Sequence, residues 1–328
     1  MTPGRFAVST SPDMTLAAIG VDIGGSAAKG GVVDSSGAIV HRVEIATDPS
    51  AATKTVIAVV EESVEWAREQ HIELMGVGIG AAGFIDADTG SIVQSPNVTY
   101  DDPNIAAAVR SRIDLQVMVD NDANAAAWGE RCFGAARGVD HLAMVTLGTG
   151  VGSGFVVAGR LIRGAHGAAA ELGHMVVDPS GPRCPCGLRG CLEQFASGSA
   201  IAARAKEAMV EAPESSIVDL AETPDEITAL DVARAAKEYD ETARAVLRRA
   251  GRMLGIGLAN VVNLFDPEVI VLAGSVSGAG ESYLGPARDQ LNQMLMAQRR
   301  RPVRLDVSVL GKDAGLLGAA ALVLEAGS

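Results

Sequence analysis

Residues 16–33 read LAAIGVDIGGSAAKGGVV: an apolar run that ends near Asp22, paired glycines, and a second apolar run. A short apolar run bounded by glycines is typical of a buried strand, and the glycines predict a tight turn into the next strand. Asp22 and Lys29 would be costly inside a bilayer, so the run is not predicted to cross a membrane. The stretch therefore predicts a glycine-turned hairpin at the start of an α/β fold.

The strand and helix patterns along the chain occur twice. Three predicted strands and a helix over residues 50–70 precede alternating strands and helices, and a second strand series begins with HLAMVTLGTGVGSGFVVAG at His141. This repetition is typical of two similar α/β domains that face each other across a cleft. We predict a small α/β domain from residues 1–118 and 313–328, and a large α/β domain from residues 119–312 that includes the clustered cysteines.

The composition of the 328 residues limits the classes of partner. The chain is 48% hydrophobic and 20% charged, as expected for a globular protein, and its formal net charge is −13. An acidic chain without a basic stripe is not expected to bind nucleic acid. The opening stretch MTPGRFAVSTSPDM lacks the apolar core of a secretory signal. We therefore expect a cytoplasmic protein that binds neither nucleic acid nor membrane.

Glycine-rich turns after predicted strands are candidate phosphate-binding loops. Glycine lets backbone amides approach a phosphate closely, and a carboxylate at a strand end can hold a hydrated magnesium ion. The candidate nucleotide-binding residues are Asp22, Gly24, Gly25, Ser26, Gly148, Thr149, Gly150 and Gly274. The alternative for each loop is an ordinary hairpin turn. The GxGxxG pattern at residues 78–83 precedes a predicted turn and strand rather than a helix, which argues against a dinucleotide-binding Rossmann fold.

The stretch VMVDNDANAAAWGE, residues 117–130, places Asp120, Asn121 and Asp122 where a predicted strand passes into a helix. One of these side chains is expected to cap the helix, and Asp122 is the predicted cap. We also interpret Asp122 as a general base that deprotonates an attacking hydroxyl. Phosphoryl transfer needs little more than a base, amides that cradle phosphate and a metal ion, and the sequence now has candidates for all three.

Further polar residues suit a polyhydroxylated ligand. ELGH at residues 171–174 places Glu171 and His174 three positions apart, Glu193 follows the cysteines, and Asn97 lies in SPNVTY. Carboxylates, amides and imidazoles match sugar hydroxyls, each of which both donates and accepts hydrogen bonds. We interpret these residues as a sugar site. For Asn97 the alternative is a plain loop asparagine.

Three of the four cysteines, Cys184, Cys186 and Cys191, lie in RCPCGLRGCLEQ, residues 183–194. In a cytoplasmic protein, clustered cysteines are more often metal ligands than disulfides. The alternative is three free thiols in a loop.

Taken together, these motifs resemble the ROK family (repressors, open reading frames and kinases), and within it the glucokinases of actinobacteria. The resemblance runs from about Ala18 to Ala320 and is carried by GVDIGGSAAKGGVVD, GVGIGAAGFIDADTG, NDANAAAWGE, LGTGVGSG, ELGH and CPCGLRGCLE. It implies an actin-like (ribonuclease H-like) two-domain sugar kinase fold with an interdomain cleft. It also implies transfer of the terminal phosphate of ATP, with Mg²⁺, to the 6-hydroxyl of glucose.

The resemblance further implies a role for each site residue. Asp122 matches the catalytic base of the family, and its sugar contacts match Asn97, Asn121, Asp122, Glu171, His174 and Glu193. Cys184, Cys186 and Cys191 match its zinc ligands, with His174 as the fourth. Four such ligands fill a tetrahedral zinc with no open position, so the Zn²⁺ is expected to be structural. A homodimer or homotetramer is expected because both are usual in the family.

The first loop departs from the family pattern. The family usually reads GGTK there, whereas Ser26 and Ala27 occupy the last two positions and Lys29 follows. The loop is also similar to that of polyphosphate-using glucokinases, so polyphosphate stays open as the donor. Mannose, fructose or an N-acetylated hexosamine stays open as the sugar. The alternative outside the enzymes is a sugar-sensing ROK regulator.

Overall fold

The computed structural model describes residues 16–86, 88–95, 98–296 and 303–326. The strands are β1 (Leu16–Ile23), β2 (Ala27–Asp34), β3 (Ile39–Ala46), β4 (Glu73–Ala81), β5 (Phe84–Asp86), β6 (Ser91–Gln94), β7 (Gln116–Asn121), β8 (Leu142–Leu147), β9 (Val151–Val157), β10 (Arg160–Leu161), β11 (Val269–Ala273) and β12 (Arg304–Val307). The α-helices are α1 (Ala52–Glu69), α2 (Ile105–Arg110), α3 (Asp122–Phe133), α4 (Glu193–Ala196), α5 (Gly198–Glu211), α6 (Ala229–Lys237), α7 (Glu241–Phe265), α8 (Glu281–Met294) and α9 (Ala314–Leu324). Among the described residues, no helix combines the length and apolar character needed to span a bilayer.

Two five-stranded sheets share one topology. The first has the order β3-β2-β1-β4-β7 and the second the order β10-β9-β8-β11-β12. In the first sheet β1 pairs antiparallel with β2 and parallel with β4. In the second sheet β8 pairs antiparallel with β9 and parallel with β11. The twofold α/β pattern predicted from the sequence is therefore confirmed. The predicted division at residue 118 falls inside β7, a strand of the first sheet that ends at Asn121.

Helices α1 and α9 pack on opposite faces of the first sheet. On one face, α1 packs through buried Val56, Val59 and Val60. On the other face α9 approaches so closely that a Cβ at Gly78 would overlap the backbone oxygen of Ala319, and a Cβ at Gly20 would overlap that of Leu316. Glycine is required at both positions because a helix backbone lies directly on the sheet.

Helices α3 and α9 lie between the two sheets. Gly129 of α3 faces Gly318 of α9, and a Cβ at Gly318 would overlap the backbone oxygen of Ala125. On its other side α3 packs on the second sheet, where a Cβ at Gly154 of β9 would come within 2.6 Å of the oxygen of Ala123. The α3–α9 pair is thus the contact through which the two sheets meet, and it places the N-terminus of α3 between them.

The predicted cap of α3, Asp122, is wrong. The cap of α3 is Asn121, whose side-chain oxygen accepts hydrogen bonds from the amides of Ala123 and Asn124, so Asp122 is the first helical residue. Asp313 does stand at the cap position of α9, but its side chain makes no capping hydrogen bond. Instead it binds both terminal nitrogens of Arg42 at 2.7 Å, because a bidentate charged pair is stronger than a single bond to an amide.

Candidate functional site

The end of β7 and the start of α3 place Asp122 at the centre of the candidate site. The neighbouring Asn121 caps the helix, and the Asp122 carboxylate accepts a hydrogen bond from the amide of Ala123 at 3.0 Å. Burial raises the pKa of Asp122, although backbone hydrogen bonds oppose the rise. A carboxylate with a raised pKa at a helix N-terminus is well suited to accept a proton.

Asp22 lies near Asp122 and interacts with it through space. It is the penultimate residue of β1 and its carboxyl group lies against Gly315 of α9, where a Cβ would come within 2.6 Å of it. Burial and the negative charge of Asp122 raise the pKa of Asp22 to about 6, although the charge of Lys29 opposes the rise. Two carboxylates that repel each other in a partly buried site favour a bound cation.

Tyr100 completes this part of the site, and it was not among the residues predicted from the sequence. Its hydroxyl donates a hydrogen bond to the backbone oxygen of Ala82 at 3.3 Å. Burial raises the pKa of Tyr100, and the charges of Asp122 and Asp22 raise it further. Tyr100 is therefore a neutral hydroxyl near both carboxylates. Its position three residues after Asn97 in SPNVTY was the available signal.

An ion pair behind Asp122 joins the first sheet to the chain that leads to Glu171. Asp120 is buried, and its Oδ2 accepts a hydrogen bond from Nε of Arg163 at 2.7 Å. Its Oδ1 accepts from Nδ2 of Asn124 at 2.9 Å and from the amide of Asn121 at 2.8 Å. Asp120 thus holds the backbone next to Asp122, a role that was not predicted from the sequence.

Glu171 lies on a constrained segment. Ala170 has a left-handed backbone with φ of 64°, which costs a non-glycine residue about 1–2 kcal/mol. The buried hydroxyl of Ser153 donates to the backbone oxygen of Ala170 and accepts from the amide of Leu172 at 3.1 Å. Desolvation raises the pKa of Glu171, His174 lowers it, and the charges of Asp122 and Glu193 raise it further, so Glu171 faces the same site.

The predicted metal ligands come together. The ligand atoms of His174, Cys184, Cys186 and Cys191 all lie within 4.8 Å of one another. Nδ1 of His174 is 3.7 Å from Sγ of Cys184, and the Sγ atoms of Cys186 and Cys191 are 3.6 Å apart. These distances match the edge of roughly 3.8 Å of a tetrahedron with metal–sulfur bonds of about 2.3 Å. Three sulfurs and one imidazole nitrogen are the donor set of a structural zinc.

Glu193 links the cysteine loop to the second glycine loop. It is the first residue of α4, two positions after Cys191, and its Oε2 accepts a hydrogen bond from the amide of Val151 at 3.0 Å. A Cβ at Gly150 would overlap this carboxylate oxygen, which explains the glycine there. The sugar candidate Glu193 and the phosphate candidate Gly150 therefore belong to one site.

The glycine loops lie where β1 passes into β2 and where β8 passes into β9. The first loop is exposed at Gly25 and Ser26, and Thr47 holds it through a hydrogen bond from its hydroxyl to the backbone oxygen of Gly24 at 2.8 Å. In the second, Thr149 is exposed and the oxygen of Gly148 accepts from the amide of Gly198 at 2.8 Å.

The late glycine turn adjoins the second loop. Gly274 has φ of 87°, and a Cβ there would overlap the oxygen of Leu147, so glycine is required. A cavity of about 370 Å³ opens between Gly148, Thr149, Ser275 and Thr228. The predicted residues Gly148 and Thr149 thus line one cavity, and Gly274 directly precedes Ser275 of its lining. Asn97, predicted as a sugar contact, lies outside the described residues.

Comparison with known proteins places this site in a family. Residues 18–326 match the model of the ROK family. A glucokinase of Streptomyces coelicolor is 40% identical over 94% of this chain and 97% of its own length. The crystal structure of a ROK family glucokinase from Streptomyces griseus, in complex with glucose and AMPPNP, has a TM-score of 0.80 and 39% identity over 93% of this chain and 98% of that one. A xylose repressor of Caldicellulosiruptor bescii is 32% identical over 86% of this chain and 71% of its own length.

Proposed function

Because the chain belongs to the ROK family, with its two-domain actin-like sugar kinase fold, we propose that it is a glucokinase. It transfers the terminal phosphate of ATP to the 6-hydroxyl of glucose, giving glucose 6-phosphate and ADP. The observation that carries the proposal is the position of Asp122. Asn121 caps the helix instead of Asp122, and the Asp122 carboxylate interacts with the carboxylates of Asp22 and Glu171.

In the proposed reaction Asp122 acts as the general base. It accepts the proton of the 6-hydroxyl while that oxygen attacks the terminal phosphorus of ATP, the bond from this phosphorus to the bridging oxygen breaks, and ADP leaves. The raised pKa supports this role because it makes the carboxylate a stronger base than an exposed aspartate. The hydroxyl of Tyr100 is a further polar group that the site offers to the sugar.

We propose that the sugar is bound by the following residues: Asn97, Asn121, Asp122, Glu171, His174 and Glu193. The side-chain nitrogen of Asn121 donates a hydrogen bond to the backbone oxygen of Gly83 at 3.1 Å and interacts with the Asp122 carboxylate, so Asn121 would contact the sugar beside Asp122. Nδ1 of His174 faces Cys184, so Nε2 remains for the sugar.

We assign the donor to the glycine loops. Phosphates would contact the backbone at Gly24, Gly25, Ser26, Gly148, Thr149 and Gly150, and the nucleoside would occupy the cavity beside Gly274. Asp22 would hold a hydrated Mg²⁺, which neutralises phosphate charge during transfer. The mutual repulsion of Asp22 and Asp122 supports a cation there.

His174, Cys184, Cys186 and Cys191 would hold one structural Zn²⁺. The ion would stabilise the segment that carries Glu171, His174 and Glu193. We further propose that the protein is a cytoplasmic homodimer or homotetramer. Light scattering on the purified protein measures the mass of the assembly.

A coupled assay over a panel of sugars and donors tests the proposed function. We expect phosphorylation of glucose with ATP to exceed that of mannose, fructose or an N-acetylated hexosamine. A preference for polyphosphate would change the donor, and a preference for another sugar would change the substrate. The xylose repressor relative makes a sugar-binding regulator the second candidate. Glucose binding without any ATP consumption would favour that candidate.

A further inference from the structure

Lys29 lies across the hairpin from Asp22. In the antiparallel pairing of β1 and β2, Asp22 is directly opposite Lys29, so both side chains project from the same face of the sheet. That face is the one covered by α9, because the Asp22 carboxyl group lies against Gly315. Lys29 is partly buried, three residues after the loop of Gly24, Gly25 and Ser26.

The ammonium group of Lys29 has no ion-pair partner within the described ranges of the chain. Arg42, which lies opposite Gly31 on the neighbouring strand, is already bound by both carboxylate oxygens of Asp313 at 2.7 Å. Lys29 makes no comparable contact, although its charge lowers the pKa of Asp22 and of Asp313. A partly buried cation beside an exposed glycine loop, with its donors unused, is available to an anionic ligand.

The surroundings of Lys29 are negatively charged, which favours a cation at this position. Asp22, Asp122 and Asp313 act on this part of the cleft, and the whole chain carries a formal net charge of −13. The terminal phosphates of a donor would meet these carboxylates, and one Mg²⁺ at Asp22 would balance only part of the combined negative charge. A lysine supplies a compact positive charge on a flexible stem that can follow the phosphate during transfer.

We propose that Lys29 binds the terminal phosphate groups of the phosphoryl donor, opposite Asp22, and thereby sets the affinity of the enzyme for that donor. This inference rests on the proposed kinase function. The shared chemistry is a chain of phosphoanhydrides, which ATP and polyphosphate both present. Lys29 would bind whichever of these two donors the wild-type enzyme uses.

The first experiment compares Lys29→Met, which keeps most of the apolar stem, with Lys29→Arg. We expect Lys29→Met to lower kcat/KM for the donor about 10–100-fold, the range for loss of a charged hydrogen bond, with the KM for glucose unchanged at saturating donor. Lys29→Arg should recover most of the loss. Lys237→Met, which removes an exposed charge at the end of α6, is the matched control and should leave both constants unchanged.

A register test separates phosphate binding from a structural role. Ala27 and Lys29 project from the same face of β2, about 7 Å apart along the strand. In the double variant Ala27→Lys/Lys29→Met the ammonium returns to this face nearer the loop. We expect it to restore part of the kcat/KM for the donor, whereas Ser35→Lys/Lys29→Met, which puts the charge at an exposed position beyond the other end of β2, should not.

Binding without turnover gives an independent readout. Calorimetric titration should show that Lys29→Met binds AMPPNP at least about tenfold more weakly than wild type, while adenosine, which lacks phosphates, binds equally to both. Polyphosphate titrated in place of AMPPNP identifies the donor. Unchanged AMPPNP and polyphosphate affinities, or an equal loss for adenosine, would overturn the inference. An inactive wild-type enzyme would instead remove the proposed function.

Discussion

The hydroxyl of Ser153 accepts a hydrogen bond from the backbone amide of Leu172 at 3.1 Å, and it donates one to the carbonyl of Ala170. One buried side chain on β9 therefore holds the backbone on both sides of Glu171. It does so where Ala170 is in the left-handed region at φ of 64°. The position of the proposed sugar-binding carboxylate, Glu171, thus depends on a residue of the strand that follows the second glycine loop.

We expect Ser153→Ala to raise the KM for glucose about tenfold and to leave the KM for ATP within about twofold, because losing this hydroxyl costs about 1–2 kcal/mol at Glu171. Ser153→Thr retains the hydroxyl and should recover most of the affinity. Ser63→Ala, which removes another buried serine that bonds only to a helix carbonyl, is the control and should leave both constants unchanged. Steady-state kinetics with each substrate varied in turn measures the split. Equal increases in both KM values would contradict a role at Glu171.

Asp122→Asn should abolish most turnover but preserve glucose binding, because the amide keeps the shape and cannot accept a proton. The expected loss in kcat is about 10²–10⁴-fold, with the Kd for glucose changed by less than about threefold. Asp289→Asn, an exposed aspartate of α8, serves as control. Stopped assays and calorimetry on the same preparations provide both numbers. Near-normal turnover in Asp122→Asn would assign the base to another residue.

Removal of the metal should weaken sugar binding more than nucleotide binding. We expect about one zinc per chain by elemental analysis. Chelation or Cys184→Ser should raise the KM for glucose far more than that for ATP, because Glu171, His174 and Glu193 border the metal site. Thermal stability should also fall, because metal binding adds to the free energy of folding. Cys132→Ser, which changes the cysteine of α3 outside the cluster, is the matched control. Active enzyme without zinc would contradict this prediction.

Asp22→Asn should make the protein more stable at pH 7 and nearly inactive with ATP. In the folded protein the pKa of Asp22 is raised from 3.8 to about 6, so folding favours its protonated form and this contribution to stability is lost as pH rises from about 4 to about 6. Removal of the charge should increase the free energy of unfolding at pH 7 by at most about 3 kcal/mol. The gain should shrink at pH 5, where wild-type Asp22 is largely protonated.

Asp34→Asn should change the free energy of unfolding at pH 7 in the opposite direction. Hydrogen bonds from Ser36 and Ala38 outweigh burial and lower the pKa of Asp34, so its charge stabilises the folded state above about pH 4 and this contribution is lost on acidification. Asp34→Asn should therefore lower the melting temperature at pH 7. A decrease for Asp22→Asn as well would show that the Asp22 carboxylate is stabilised rather than strained.

The sequence by itself determined most of the secondary-structure elements and most of the candidate site residues. Apolar runs ending in glycine pairs predicted β1, β2, β8 and β9, because backbone conformation and strand periodicity are local properties. The crowding of Cys184, Cys186 and Cys191 predicted a metal site, and the structure brings them together with His174. Asp122, the proposed general base, was also predicted from its place between a strand and a helix.

Only the tertiary structure decided which side chains from distant segments contact one another. Asn121 rather than Asp122 caps α3, because the cap goes to the residue whose backbone leaves the strand, and this frees the base. Arg163 reaches Asp120 from a distant segment, and Ser153 reaches around Glu171. Lys29 faces Asp22 only through strand register, and the Asp313 carboxylate binds Arg42 instead of its helix. Contacts between distant segments depend on how sheets and helices pack, and no local pattern in the chain records them.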